Sequence, residues 1–201
     1  MSDTAKPYNK AAAWIILVGV AVLPLFFLPL SSSALELNKQ ILLVAVAGVS
    51  MIVWLLGVVI SGQMSLRINP LDKGVGVLLL ATVATTVFSV MRGNSIFGLN
   101  IGLSESLVSV FALSILYFVA VNVFEDNGKK LTIALGVSFT IALLYGLAQM
   151  FTLYLFSFSV AYSRAFNTVG SVNTLGLLAA ISLPLFNKTK VLIRGNKYLD
   201  V

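Results

Sequence analysis

The sequence predicts an all-α, polytopic helical membrane protein with about six transmembrane helices and both termini on the cytoplasmic side. Three observations carry that expectation. Of 201 residues, 59% are apolar and only 10% charged, where soluble domains carry roughly 25% charged residues. The apolar residues fall in long continuous runs with uncharged cores, without the alternation of a transmembrane barrel strand. Lys and Arg gather in alternate connections between the runs.

A spanning helix needs about 20 apolar residues, because each adds roughly 1.5 Å to a crossing of about 30 Å. Six runs meet or approach that length, at about 11–28, 41–60, 74–90, 107–124, 131–156 and 172–186. The last is short and carries Pro184. Backbone polar groups in lipid must be satisfied within each segment, so helices are expected throughout. Lys6 and Lys10 precede the first run and Ser32-Ser33-Ala34 follows it, as in a cleaved signal peptide. The run exceeds the usual signal-peptide core, which favours an uncleaved first helix.

With the N-terminus inside, Lys6, Lys10, Arg67, Lys73, Lys129, Lys130 and the four cations from Lys188 to Lys197 are cytoplasmic, leaving only Lys39, Arg92 and Arg164 outside. That asymmetry explains the net charge of +6 as an orientation signal and not as a grip on nucleic acid. Residues 31–40, 91–105 and 157–171 then form the outer connections. Asn127-Gly128 makes a tight inner turn. The chain has no internal repeat, low-complexity tract or soluble domain, so residues 1–201 form one transmembrane region. It has no cysteine and no histidine, which excludes disulfides, thiolate metal sites and histidine-based catalysis within it.

The chemistry-bearing residues concentrate in Ser163-Arg-Ala-Phe-Asn-Thr-Val-Gly-Ser-Val-Asn-Thr-Leu-Gly176. A guanidinium matches phosphate oxygens through two parallel donors, and Arg164 is followed by small polar residues leading into a helix. A helix N-terminus favours anions. Together these suit a pyrophosphate at the outer leaflet, with Arg164 and Asn173 as contacts and Arg92 as a further one. The simpler readings make Arg164 and Arg92 anchors at the membrane interface and Asn173 a cap of the sixth helix. Gln149 fits a hydrogen bond to a neighbouring helix. Glu36 and Glu105 are the outward carboxylates and read as solvated acids at helix ends. Gly98-x-x-x-Gly102 matches a helix-packing motif but lies in a connection. Asn187-Lys-Thr189 is a formal glycosylation sequon on the inner side.

The segment RAFNTVGSVNTLGLLAAISLPL resembles one in O-antigen ligases and O-antigen polymerases. That segment reads arginine, a few residues, Gly-Thr-x-Gly-Asn-Pro-Asn, and then an apolar helix with a late proline. Arg164, Thr168, Gly170, Asn173 and Pro184 fit the pattern; Asn167 stands where glycine is usual, and Ser171-Val172 replaces Asn-Pro. The stretches FFLPLSSSALELNKQILL, FSVMRGNSIFGLNIGLSESLVSVFALSILYFV and LLYGLAQMF resemble the family's first outer loop, its third and fourth spans, and its fifth span. Their order and spacing carry the likeness across nearly the whole chain.

The resemblance implies a bacterial inner-membrane glycosyltransferase. Such enzymes transfer a glycan from an undecaprenyl-pyrophosphate carrier on the outer face, with no nucleotide sugar, cofactor or metal. The family's second half carries a histidine and further arginines in a large outer loop. This chain has no such region, so the expectation is an N-terminal half that is inactive by itself. Two other classes compete: a transporter subunit, which predicts charged residues inside spans, and a non-catalytic membrane scaffold.

Overall fold

A computed structural model describes residues 5–27, 34–64, 66–98, 106–124, 128–154 and 166–195, with the side chains of 34–36 and 188–195 outside that description. Among the described residues there are seven helices and no strand: α1 Lys6–Val22, α2 Ala34–Ser61, α3 Leu71–Val87, α4 Arg92–Phe97, α5 Leu107–Val123, α6 Lys129–Met150 and α7 Val172–Gly195. The all-helical expectation holds. Two of these helices are long and apolar enough to cross a membrane: Leu37–Ser61, of mean hydropathy 2.7, and Lys129–Met150, of mean hydropathy 2.0. Leu107–Val123 and Val172–Asn187 are shorter apolar helices.

The chain divides into two compact units, Met1–Gly19 with Lys39–Glu125, and Val20–Asn38 with Asp126–Val201. In the first, Asn9, Ala12, Ile16 and Gly19 recur at three- and four-residue spacing and form the buried face of α1. A Cβ at Gly19 would lie 2.6 Å from Val46 Cγ2, and one at Gly57 would lie 2.8 Å from Tyr8 Cβ. Glycine at both positions therefore lets α1 and α2 approach closely in antiparallel register. Trp54 of α2 meets Phe118 of α5 edge to face at 5.5 Å. α3 and the short α4 pack on each other and on α5.

In the second unit α6 packs on α7, with Gly146 facing Leu175. The end of α1 is set by Pro24, which lacks an N–H and cannot extend the helix. The Leu25 N–H turns to the Val22 carbonyl at 2.9 Å. That move releases the Ala21 carbonyl, and the buried Ser138 hydroxyl of α6 donates to it.

Helix bounds depart from the apolar runs for local reasons. The first ends at Val22 and not near 28, because of Pro24. The second begins at Ala34 and not 41: Glu36 and Lys39 interrupt the apolar run but not the helix. The third runs from Leu71 to Val87 where 74–90 was expected, and the outer connection 91–105 contains a helix of its own, α4. The seventh helix continues past 186 to Gly195 with Pro184 inside it.

α6 stops at Met150, short of the expected 156. Its end closes with Leu153 N–H on the Ala148 carbonyl and Thr152 N–H on that of Gln149, each at 3.0 Å. This is the Schellman pairing, which places the residue after the cap in left-handed backbone. That residue is Thr152, at φ 65°, alone among the described non-glycine residues in having positive φ. A β-branched side chain there is strained. Thr152→Gly is expected to stabilise the protein by about 1 kcal/mol, read as a raised unfolding midpoint in detergent. A lowered midpoint would mean that the threonine's contacts outweigh its backbone strain.

Candidate functional site

The described part of the predicted site is the turn at 166–171 and the first turn of α7. Phe166 is buried and anchors it, meeting Phe27 edge to face at 4.9 Å and Tyr145 of α6 at 6.4 Å. Asn167 is 2% exposed, and its Oδ1 accepts from the N–H groups of Val169 at 3.0 Å and Gly170 at 2.8 Å. An asparagine side chain closing on the backbone two and three residues ahead acts as a local turn former. Gly170 follows at φ 139°, a backbone that L side chains rarely adopt. The Asn167 amide thus holds the turn.

Ser171 caps α7: its Oγ accepts from the Thr174 N–H at 3.1 Å and shares a hydrogen bond with the Thr174 hydroxyl at 2.7 Å. The cap is therefore Ser171 and not Asn173, which is exposed in the first helical turn. Thr168 is buried beside Asn167. The start of α7 carries no acidic side chain to oppose an anion. With the Val169, Gly170 and Thr174 N–H groups already taken, the first turn of α7 can present the N–H groups of Val172 and Asn173 and its exposed small polar side chains to an anionic oxygen. Arg164 and the rest of 155–165 lie outside the described residues, as does Glu105; the side chain of Glu36 does also. Arg92 is the exposed first residue of α4, in the other unit.

Gln149 is fully buried on α6, four residues beyond Tyr145. Gly98 ends α4 in left-handed backbone at φ 76°, and Gly102 lies outside the described residues. Among the described residues no three carboxylates gather in a way that could hold a metal ion.

Two polar clusters escaped sequence reasoning. Gln40 of α2 donates from Nε2 to the hydroxyls of Ser106 at 2.8 Å and Ser109 at 3.1 Å, joining α2 to the capped start of α5. Between α2 and α3, the Arg67 N–H donates to Asn122 Oδ1 at 2.9 Å, and its Nη1 donates to the Phe124 carbonyl at 3.1 Å. Asp72 accepts the Tyr117 hydroxyl at 2.8 Å and the Asn69 N–H at 2.7 Å. Of these contacts only Asn69–Asp72 had a local signal, a polar residue placed to cap the start of a helix. No family model matches the chain, and no curated protein or solved structure matches it.

Proposed function

We propose that this chain is the N-terminal half of a bacterial O-antigen ligase-like or polymerase-like glycosyltransferase, a multi-pass protein of the inner membrane. In this reading it holds the pyrophosphate of an undecaprenyl-linked glycan at the outer leaflet. The observation that carries the proposal is the 166–171 turn: Asn167 and Gly170 shape it, Phe166 anchors it, and it delivers the chain from Arg164 to the start of α7. Arg164 would neutralise the leaving pyrophosphate, with Asn173 as a second contact. The membrane setting is supported by Leu37–Ser61 and Lys129–Met150, whose apolar windows are only 28% and 33% buried. A core helix of a soluble protein would be mostly covered, whereas Ile52 and Leu144 are each 60% exposed.

A non-catalytic scaffold is the second reading. It is favoured by the polar contacts of Gln40, Asn167 and Ser171, each of which holds a turn or joins helices. The two readings separate on ligand binding. Residues 1–201 reconstituted in vesicles should bind undecaprenyl pyrophosphate in preference to undecaprenol; equal binding of both would leave the scaffold. Topology is tested in parallel, since the chain has no native cysteine. Single cysteines at Ser33, Asn94 and Ser163 should react with an impermeant thiol reagent from outside, and those at Asn127 and Asn187 should not. Outside labelling at Asn127 would overturn the six-span topology.

A further inference from the structure

The corner joining α3 to α4 inverts the usual character of a loop. Its large apolar side chains point outward: Phe88 is 87% exposed and Val90 100%. Val87, Met91 and Phe97 are also more than half exposed. Several of its polar groups, by contrast, bond to one another. The Phe88 N–H donates to the Ala84 carbonyl and the Ser89 N–H to that of Thr86. The Ser89 hydroxyl accepts from the Met91 N–H at 3.2 Å and from the Ser95 hydroxyl at 2.7 Å. The Ser95 N–H donates to the Met91 carbonyl at 3.1 Å.

A connection built for water leaves backbone groups to solvent and turns apolar side chains in. One built for an apolar medium must do the opposite, because an unsatisfied N–H or carbonyl costs several kcal/mol in hydrocarbon. Arg92 is exposed at the same corner, beside Met91. An exposed cation next to a bare apolar surface matches the boundary of a bilayer, where acyl chains take the apolar groups and phosphates take the cation.

We propose that the α3–α4 corner, residues 87–97, is a membrane-interface anchor. Phe88, Val90, Met91 and Phe97 enter the acyl–headgroup boundary of the leaflet, and Arg92 meets lipid phosphate. The inference rests on the membrane reading above and assigns to this connection a lipid partner instead of water.

The experiment uses residues 1–201 in vesicles of phosphatidylethanolamine and phosphatidylglycerol. A nitroxide is attached to a single cysteine at Phe88, Val90 or Phe97, and collisions with oxygen and with a water-soluble nickel chelate are compared. Labels at Ile52 and Leu144 report the hydrocarbon, and one at Lys129, an exposed charged position, reports the water phase. The corner labels should collide with the chelate several-fold less than Lys129 does, while remaining open to oxygen. Chelate access equal to that at Lys129, with Ile52 and Leu144 protected, would overturn the anchor and leave the membrane reading intact. Chelate access at all five sites would overturn both. Shielding of the corner from both reagents, or spin–spin broadening between copies, would replace lipid by protein as the occupant. Each corner variant removes one exposed apolar side chain, so folding is monitored by the unchanged helix content of each singly labelled protein in circular dichroism.

Discussion

Arg164→Lys should weaken binding of undecaprenyl pyrophosphate by about tenfold to a hundredfold while membrane abundance stays normal. The exchange preserves one positive charge but loses the planar fork that meets two phosphate oxygens at once. A charge-assisted hydrogen bond contributes roughly 1.5–3 kcal/mol, and each 1.4 kcal/mol is about a factor of ten. An interface anchor tolerates the same change, because lysine also reaches from an apolar stem to the headgroups. Normal binding by the lysine variant would therefore reduce Arg164 to an anchor. Asn173→Ala is the companion. Ser171 supplies the helix cap, so losing Asn173 should leave stability unchanged, and any loss of binding reports a ligand contact.

Asn122→Leu should destabilise the protein by about 2 kcal/mol. Asn122 is 5% exposed and serves two partners at once. Its Nδ2 donates to the Phe118 carbonyl one turn back at 2.8 Å, and its Oδ1 accepts the Arg67 N–H. Leucine is larger and offers no acceptor, so the exchange crowds a buried site and leaves the Arg67 N–H without its partner. The Arg67 guanidinium then loses its fixed approach to the Phe124 carbonyl, where a cation complements the negative end of α5. For a chain of this size that loss lowers an unfolding midpoint by roughly 4–8 °C, measurable in detergent. Asn122→Asp retains an acceptor for the Arg67 N–H and should recover part of the loss. A midpoint unchanged by leucine would show that the connection between α2 and α3 is held elsewhere.

Helix existence was legible in the apolar runs, and most clearly in α5. There Ser106 caps the first turn and the run closes at the polar sequence after Phe124, so the expected 107–124 and the observed Leu107–Val123 nearly coincide. Bounds failed where a local feature overrode hydropathy. Pro24 cut α1 short, and the left-handed Thr152 ended α6 inside an apolar stretch. α4 was missed because RGNSIF holds too few apolar residues to give a period. Within the candidate site, Asn167 read as a departure from a glycine pattern, and only its hydrogen bonds to Val169 and Gly170 give it a role. The Asp72–Tyr117 and Gln40–Ser106 pairs join residues 45 and 66 positions apart, a separation over which local sequence carries no signal.

The length of α3 bears on the membrane itself. Seventeen residues rise about 25 Å, whereas the 25 residues of Leu37–Ser61 rise about 37 Å. In the six-span reading proposed above, consecutive segments of one chain thus ask for hydrocarbon layers of different thickness. The longer can tilt, but the shorter can meet a layer of about 30 Å only by extending its greasy length or by drawing the leaflets together. Exposed apolar side chains continue past its C-terminal end, at Phe88 and Val90. They lengthen its hydrophobic reach without lengthening the helix. With α3 as a span, as proposed, a thick bilayer would be dimpled around this part of the protein, and a thin one would receive it with less deformation.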